Sequence, residues 1–202
     1  GSNSPSGYNS VGNPKSKAGE LPWIFINQTN SKKSAENMYA NSDYVTSELI
    51  TGTQWDVMLN KFIGKRNQNN ITLTLEDMLN SKRWGNYRDN NLLYTGRHAD
   101  MFLNTYWYIK PWEVKTENAT TSTYTAYTTG ASKQTEMYHT YDIAGNVWEW
   151  TDEVGKGINY GVARGGAGYN ESEEAAACYR QGVDPASHLW MTYCFRVVLY
   201  IK

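Results

Sequence analysis

Trp55, Met58, Leu59, Phe62 and Ile63 recur at i, i+3, i+4, i+7 and i+8, a spacing that predicts an amphipathic helix capped by Thr51 or Thr53. Gly64 supplies its stop. A shorter helix is expected from Leu75 to about Leu79 behind Thr74, and another from a cap at Asn30 or Ser31 to about Tyr39. Elsewhere the period shortens to two. Asn146-Val147-Trp148-Glu149-Trp150 alternates polar and apolar residues and puts two indoles on one face of a half-buried strand. Pro22–Ile26, Tyr106–Ile109 and Thr121–Tyr127 read as further strands, and Phe195–Ile201 (FRVVLYI) as a final, largely buried one. Arg164-Gly165-Gly166 makes a turn where backbone approaches closely or takes positive φ. Residues 167–193 sustain no period. An unpatterned segment held between specific motifs is the arrangement of a binding surface on a rigid frame.

Composition sharpens this picture. With 202 residues the chain is long enough for one well-buried core. Residues 1–20, Gly-, Ser-, Asn- and Pro-rich, read as a tag remnant (Gly1-Ser2) and flexible linker, and 21–202 as one domain. The 19 basic and 20 acidic residues nearly cancel, so no electrostatic footprint for nucleic acid appears. No apolar run is long enough for a membrane span. Sixteen Tyr and eight Trp, with abundant Asn, Thr and Ser, take the place of charge. Tyr with Ser, Asn and Gly is a paratope-like composition, although most individual rings are expected in the core. Cys178 and Cys194 are too few for a disulfide framework, lack CxxC spacing, and are read as two free thiols.

Several motifs then point to a family. GNVWEW (Gly145–Trp150), Arg164-Gly165-Gly166 and Phe195-Arg196 stand in order. Ser47–Trp55, Trp84-Gly85-Asn86 and Thr129–Ser132 precede them. Together they resemble the formylglycine-generating-enzyme (sulfatase-modifying-factor) branch of the C-type lectin fold, and more closely the variable proteins of diversity-generating retroelements. The resemblance covers roughly 21–202. It implies an α+β, loop-rich C-type lectin fold with short antiparallel sheets and two or three helices. It also implies that adenine-directed errors rewrite the C-terminal segment, and that the domain is displayed on a phage tail or a bacterial surface. The partner it implies is a protein ligand on a target cell or virion surface. The expected contact positions are Tyr169, Glu171, Glu174, Cys178, Tyr179, Gln181, Val183, Asp184, Ala186, His188, Leu189, Trp190, Met191 and Tyr193, with Tyr179, Trp190 and Tyr193 as aromatic anchors. The favoured template codon of such systems does not reach Glu, Gln, Met or Trp through adenine changes alone. Either other adenine-containing codons are in use or some of these positions are fixed.

Catalysis has little to stand on. The family's oxidases need a C-x4-C thiol pair just before an arginine comparable to Arg180. Ala175-Ala176-Ala177-Cys178-Tyr179-Arg180 holds one displaced thiol, and Cys194 replaces the Gly of GFR. His98, His139 and His188 show no HxxxH or HExxH spacing. An atypical oxidase and an invariant structural module of a tail or surface protein remain as alternatives. No cofactor is expected, apart from a structural Ca²⁺ that the resemblance implies. Its ligands would be the backbone oxygens of Asp142, Gly145 and Val147 and the side chain of Glu149. The preferred alternative is a buried network joining Glu149 to a backbone amide or to Arg164, since one carboxylate makes a weak calcium site. Arg164, Arg180 and Arg196 are expected to fasten loops.

Overall fold

Thr51 and Gln54 close the first turn of the clearest helix reciprocally. The Thr51 hydroxyl accepts the Gln54 N–H at 3.2 Å, and the Gln54 carboxamide accepts the Thr51 N–H at 2.9 Å. Trp55, Leu59 and Phe62 are buried along its inner face, with Met58 and Ile63 packed at the margin. The computed structural model describes residues 9–90, 92–100, 114–120, 125–157, 160–186 and 192–202; for 94–100, 114–120 and 125 it describes the backbone alone. In chain order the elements are α1 (Gln28–Asn37), β1 (Val45–Leu49), α2 (Gly52–Phe62), α3 (Leu75–Leu79), β2 (Leu93–Asp100), β3 (Val114–Thr120), β4 (Thr125–Tyr127), β5 (Glu136–Met137) and β6 (Thr140–Tyr141). They continue as β7 (Trp148–Val154), β8 (Gly161–Arg164), β9 (Arg180–Val183), β10 (Tyr193–Phe195) and β11 (Val197–Ile201).

Among the described residues the strands form four small sheets, ordered β1-β11, β10-β7-β8-β9, β3-β2-β4 and β5-β6. All pairings are antiparallel except β10 with β7, which is parallel. One core cluster gathers Trp55, Leu59, Phe62, Met78, Trp84, Tyr87 and Ile143; a second gathers Leu49, Trp148, Trp150, Ala163, Ala175, Val183 and Tyr193. Between them two motif turns interlock. The Asn86 N–H donates to Ala144 C=O at 3.0 Å, and the Asn146 N–H to Asn86 C=O at 2.9 Å. The Asn146 carboxamide also accepts the Tyr127 N–H at 2.7 Å and donates to its carbonyl at 3.1 Å. Gly145, at φ 72°, leaves no room for a Cβ, which would collide with the Asn86 carbonyl.

Several expectations shift. Pro22–Ile26 is not a strand: Phe25 takes φ 59°, and its carbonyl accepts the Asn9 N–H at 2.9 Å. The α1 cap is Asn27, whose side chain accepts the Asn30 N–H at 2.9 Å, and the helix ends at Asn37, not Tyr39. The strand read at 146–150 begins only at Trp148, because Asn146 is left-handed at φ 67°. Trp148, Glu149, Trp150 and Thr151 are all buried, since β7 lies between β10 and β8. The last strand is split. Phe195 belongs to β10, and β11 pairs only with β1, leaving Leu199 53% and Ile201 91% exposed instead of buried. The strand expected at 106–109 lies outside the described residues, as does 121–124; β4 covers the remainder of the second.

Residues 9–20, expected as a linker, touch the frame. Gly12 N–H donates to the Ser34 hydroxyl at 3.2 Å, and Gly19 and Thr129 exchange backbone bonds through Thr129 C=O and Glu20 C=O at 2.9 Å.

Candidate functional site

After β8 the chain turns through Gly165 and Gly166, at φ 87° and 77°, and enters the segment without a period. Its backbone is fastened at nearly every step. The Tyr87 hydroxyl meets the carbonyls of Gly165 at 2.7 Å and Ala175 at 3.0 Å. The Trp55 indole donates to Ala177 C=O at 2.9 Å, and the Ser81 hydroxyl accepts the Ala177 N–H at 2.9 Å. Asp89 takes both the N–H and the hydroxyl of Ser172, at 2.9 and 2.8 Å. Ala175, Ala176 and Ala177 are buried, at 2%, 2% and 0% exposure, so the segment carries a small-residue anchor of its own. Tyr87, Trp55, Ser81 and Asp89 belong to the frame, but the segment also holds itself: Asn170 accepts the Ala167 N–H at 2.9 Å and Asp184 the Ala186 N–H at 2.9 Å, while β9 is held by β8.

Several of the segment's side chains point outward. Glu174, Tyr179, Asp184 and Ala186 are exposed, and Tyr169, Glu171 and Gln181 are half-buried. Glu171 meets Arg88 at 2.6 Å on the surface. Near Ala186 the Asn27 carboxamide donates to its carbonyl at 2.7 Å, so the α1 cap also holds the far end of the segment. Arg180 fastens β9 to the rest: Nη2 meets Asp56 at 2.6 Å and Nε meets Glu153 at 2.9 Å. Fully buried Arg164 joins the same two carboxylates and lies 5.8 Å from the Trp55 ring.

Three tyrosines of the segment converge on one frame indole. Trp148 donates to the Tyr169 hydroxyl at 3.2 Å; its ring lies 6.0 Å from that of Tyr179 and 6.2 Å from that of Tyr193. They are not equivalent. Tyr179 is 44% exposed, whereas Tyr193 is only 3% exposed, wedged against Trp150 at 5.1 Å. Tyr193 is therefore a core ring and not an exposed anchor, because its strand docks beside central β7, and burial pushes its hydroxyl pKa up. Val183, 8% exposed, is likewise in the core, opposite Gly161 where β9 pairs with β8. Cys178 is half-buried against the α2 cluster. His188, Leu189, Trp190 and Met191 lie outside the described residues. Of the frame residues that shape this face, Trp148 lies in the alternating GNVWEW motif and Tyr87 beside the WGN turn, whereas Asp89 and Asn27 carry no signal in the sequence.

Reactive groups are scarce. Cys178 and Cys194 are free thiols, and burial is the main force pushing both pKa values up, that of Cys194 well above the ordinary range. Among the described residues no three of His, Cys, Asp and Glu gather into a metal-binding group, and no helix is long and apolar enough to cross a membrane.

The turn expected to ligate Ca²⁺ has other partners. Both Glu149 oxygens are taken by Arg196, from Nε at 2.7 Å and Nη2 at 2.5 Å. The partner is thus Arg196 and not Arg164, which stands opposite Glu149 across β7–β8 yet turns to Asp56 and Glu153. Asp142 accepts the Thr135 hydroxyl at 2.8 Å and the Gly130 N–H at 3.1 Å; its burial raises its pKa, with Thr135 opposing. For Arg196 burial works against the charge, but Glu149 outweighs it and the net shift is upward. This donor set does not fit Ca²⁺: the one side-chain ligand expected of it is held with both oxygens by a guanidinium.

Residues 80–201 match the family described as the sulfatase-modifying factor enzyme 1-like domain. Among solved structures, Treponema denticola variable protein 1 is similar, with a TM-score of 0.53 at 15% identity, over 96% of this chain and 76% of that one. At that identity the likeness is one of fold. No curated protein matches the chain. The α+β, C-type lectin fold of the formylglycine-generating type, expected from the motifs, is the fold observed.

Proposed function

The chain belongs to the sulfatase-modifying factor enzyme 1-like domain family, and we propose that it is a non-catalytic ligand-binding member whose C-terminal segment is diversified by a retroelement. In this reading the domain is displayed on a phage tail or a bacterial surface and its ligand is a protein. One observation carries the proposal: between Gly165 and Ala177 much of the backbone is fixed by frame side chains, while Glu171, Glu174, Tyr179 and Gln181, exposed or half-buried, spend little of their own chemistry on the fold. Such positions accept substitution with little loss of stability. Their chemistry suits a protein surface: a half-exposed ring for contact area, with adaptable polar groups around it. The raised thiol pKa values of Cys178 and Cys194 give no support to an oxidase reading.

The test is genetic. Sequencing the encoding locus is expected to find a reverse transcriptase gene and a near-identical repeat of the segment, differing from it at adenines. Sibling proteins whose differences fall evenly along the chain, with no such repeat, would overturn the proposal. The alternative oxidase is separated by oxygen consumption with copper and a thiol substrate, where no turnover is expected.

A further inference from the structure

We infer that the guanidinium of Arg196 is the built-in cation of the Asp142–Glu149 turn, taking the one side-chain ligand the resemblance assigns to Ca²⁺, so that the domain holds its fold without a divalent ion. Arg196 sits at the junction where the chain leaves β10 in the central sheet and enters β11 beside β1. From there it reaches two further segments: Glu149 in β7, through a two-handed contact at 2.7 and 2.5 Å, and the Tyr141 carbonyl at 2.8 Å. Glu149 and Arg196 are shielded, with side-chain exposures of 6% and 24%. A planar fork matched to a carboxylate gives both charge and direction, which a point ion gives only by collecting many oxygens.

Calcium takes six to eight oxygens at about 2.3–2.6 Å. Here Glu149 would have to release its partner, and the ion would then share a small buried space with a displaced positive charge. The second buried carboxyl, Asp142, already accepts two bonds within the turn, from Thr135 and Gly130. A cavity of about 220 Å³, lined by Trp23, Tyr141, Asp142, Glu149 and Arg196, adjoins the clasp. Shortening Arg196 would therefore leave the Glu149 carboxylate without its guanidinium, beside Asp142 and room for a hydrated ion, with Lys15 the other cation lining that cavity. Removing the guanidinium should turn a metal-independent turn into a metal-dependent one. If the segment after Gly165 recognises ligands as proposed above, that recognition is calcium-independent as well, although the test does not rely on it.

Melting curves of the full chain in EGTA, in Ca²⁺ and in Mg²⁺ test the inference, with calorimetric titration of Ca²⁺ alongside. The wild type is expected to melt at one temperature in all three and to bind no Ca²⁺. Arg196→Gln is expected to melt lower in EGTA and to recover in Ca²⁺ more than in Mg²⁺. Arg196→Lys keeps the charge without the fork; it is expected to be destabilised yet indifferent to Ca²⁺. A wild type that melts lower in EGTA and recovers in Ca²⁺ overturns the inference. So does an Arg196→Gln variant that folds but loses the same stability with and without Ca²⁺. If Arg196→Gln does not fold in any buffer, the wild-type titration and the lysine variant decide, a Ca²⁺-stabilised lysine variant counting against the cation role.

Discussion

Tyr179 and Tyr193 flank the same indole at 6.0 and 6.2 Å, yet truncating them should have very unequal consequences. An aromatic side chain buries about 150–250 Å², which at about 25 cal/mol per Å² sets an upper bound of roughly 4–6 kcal/mol. Tyr193 is 3% exposed between Trp148 and Trp150, on strands bonded to one another, so the hole left by Tyr193→Ala has little means of closing. The expected loss is roughly 3–5 kcal/mol, the range for emptying a buried aromatic site. Tyr179 keeps 44% of its surface in water, and a gap there fills with solvent. Tyr179→Ala should cost roughly 1–2 kcal/mol, about half the area being involved. Urea unfolding followed by tryptophan fluorescence measures both, provided the denaturant slopes agree with the wild type. Tyr193→Phe, which keeps the ring, should recover most of the loss. A Tyr179→Ala variant as unstable as Tyr193→Ala would show that the segment is part of the core and refute the division between fixed backbone and free side chains.

Two further outcomes follow from the frame. Gly145→Ala should cost more than about 2 kcal/mol or abolish soluble expression, since left-handed strain of roughly 1–3 kcal/mol adds to a collision with the Asn86 carbonyl; thermal melting checks it. For Asp77, burial opposes the carboxylate, but Arg83 at 2.6 Å and Thr74 outweigh it and hold the pKa below its ordinary value. Its contribution is therefore present above the ordinary carboxylate pKa of about 4 and is lost as pH falls through the depressed folded value. Asp77→Asn should lose roughly 1.5–3 kcal/mol at neutral pH and converge on the wild type in acid, a convergence that urea midpoints across pH would reveal.

Local order was legible in the chain; long-range partnership was not. The Thr51 cap, the Trp55-to-Ile63 stripe and the Gly64 stop are decided within a dozen residues, and α2 follows them. The same holds for Thr74 and α3. Which strands neighbour which is decided by contacts far apart in sequence. FRVVLYI reads as one buried strand, but Arg196 turns to Glu149 and divides it between two sheets, one of them open to water. Tyr179 and Tyr193 look alike as residues in an unpatterned stretch. Only the docking of β10 beside β7 buries one and leaves the other out. The fastening of the segment by Tyr87, Ser81 and Asp89 carries no periodic trace either, because hydrogen bonds to single carbonyls and hydroxyls need no repeat.

The buried alanines at 175, 176 and 177 acquire a different meaning at the level of the genetic code. If the segment is rewritten as proposed, errors fall on the adenines of the template repeat, and an alanine codon, GCN, can itself arise from a template AAN. The template would therefore have to carry no adenine in the deciding bases of these three codons, or a share of the copies would put large or charged side chains where only a methyl fits and be lost with the fold. Tyr193 cannot be protected in that way. An adenine in its codon means one in the template, so a copying error there would fall on a buried ring.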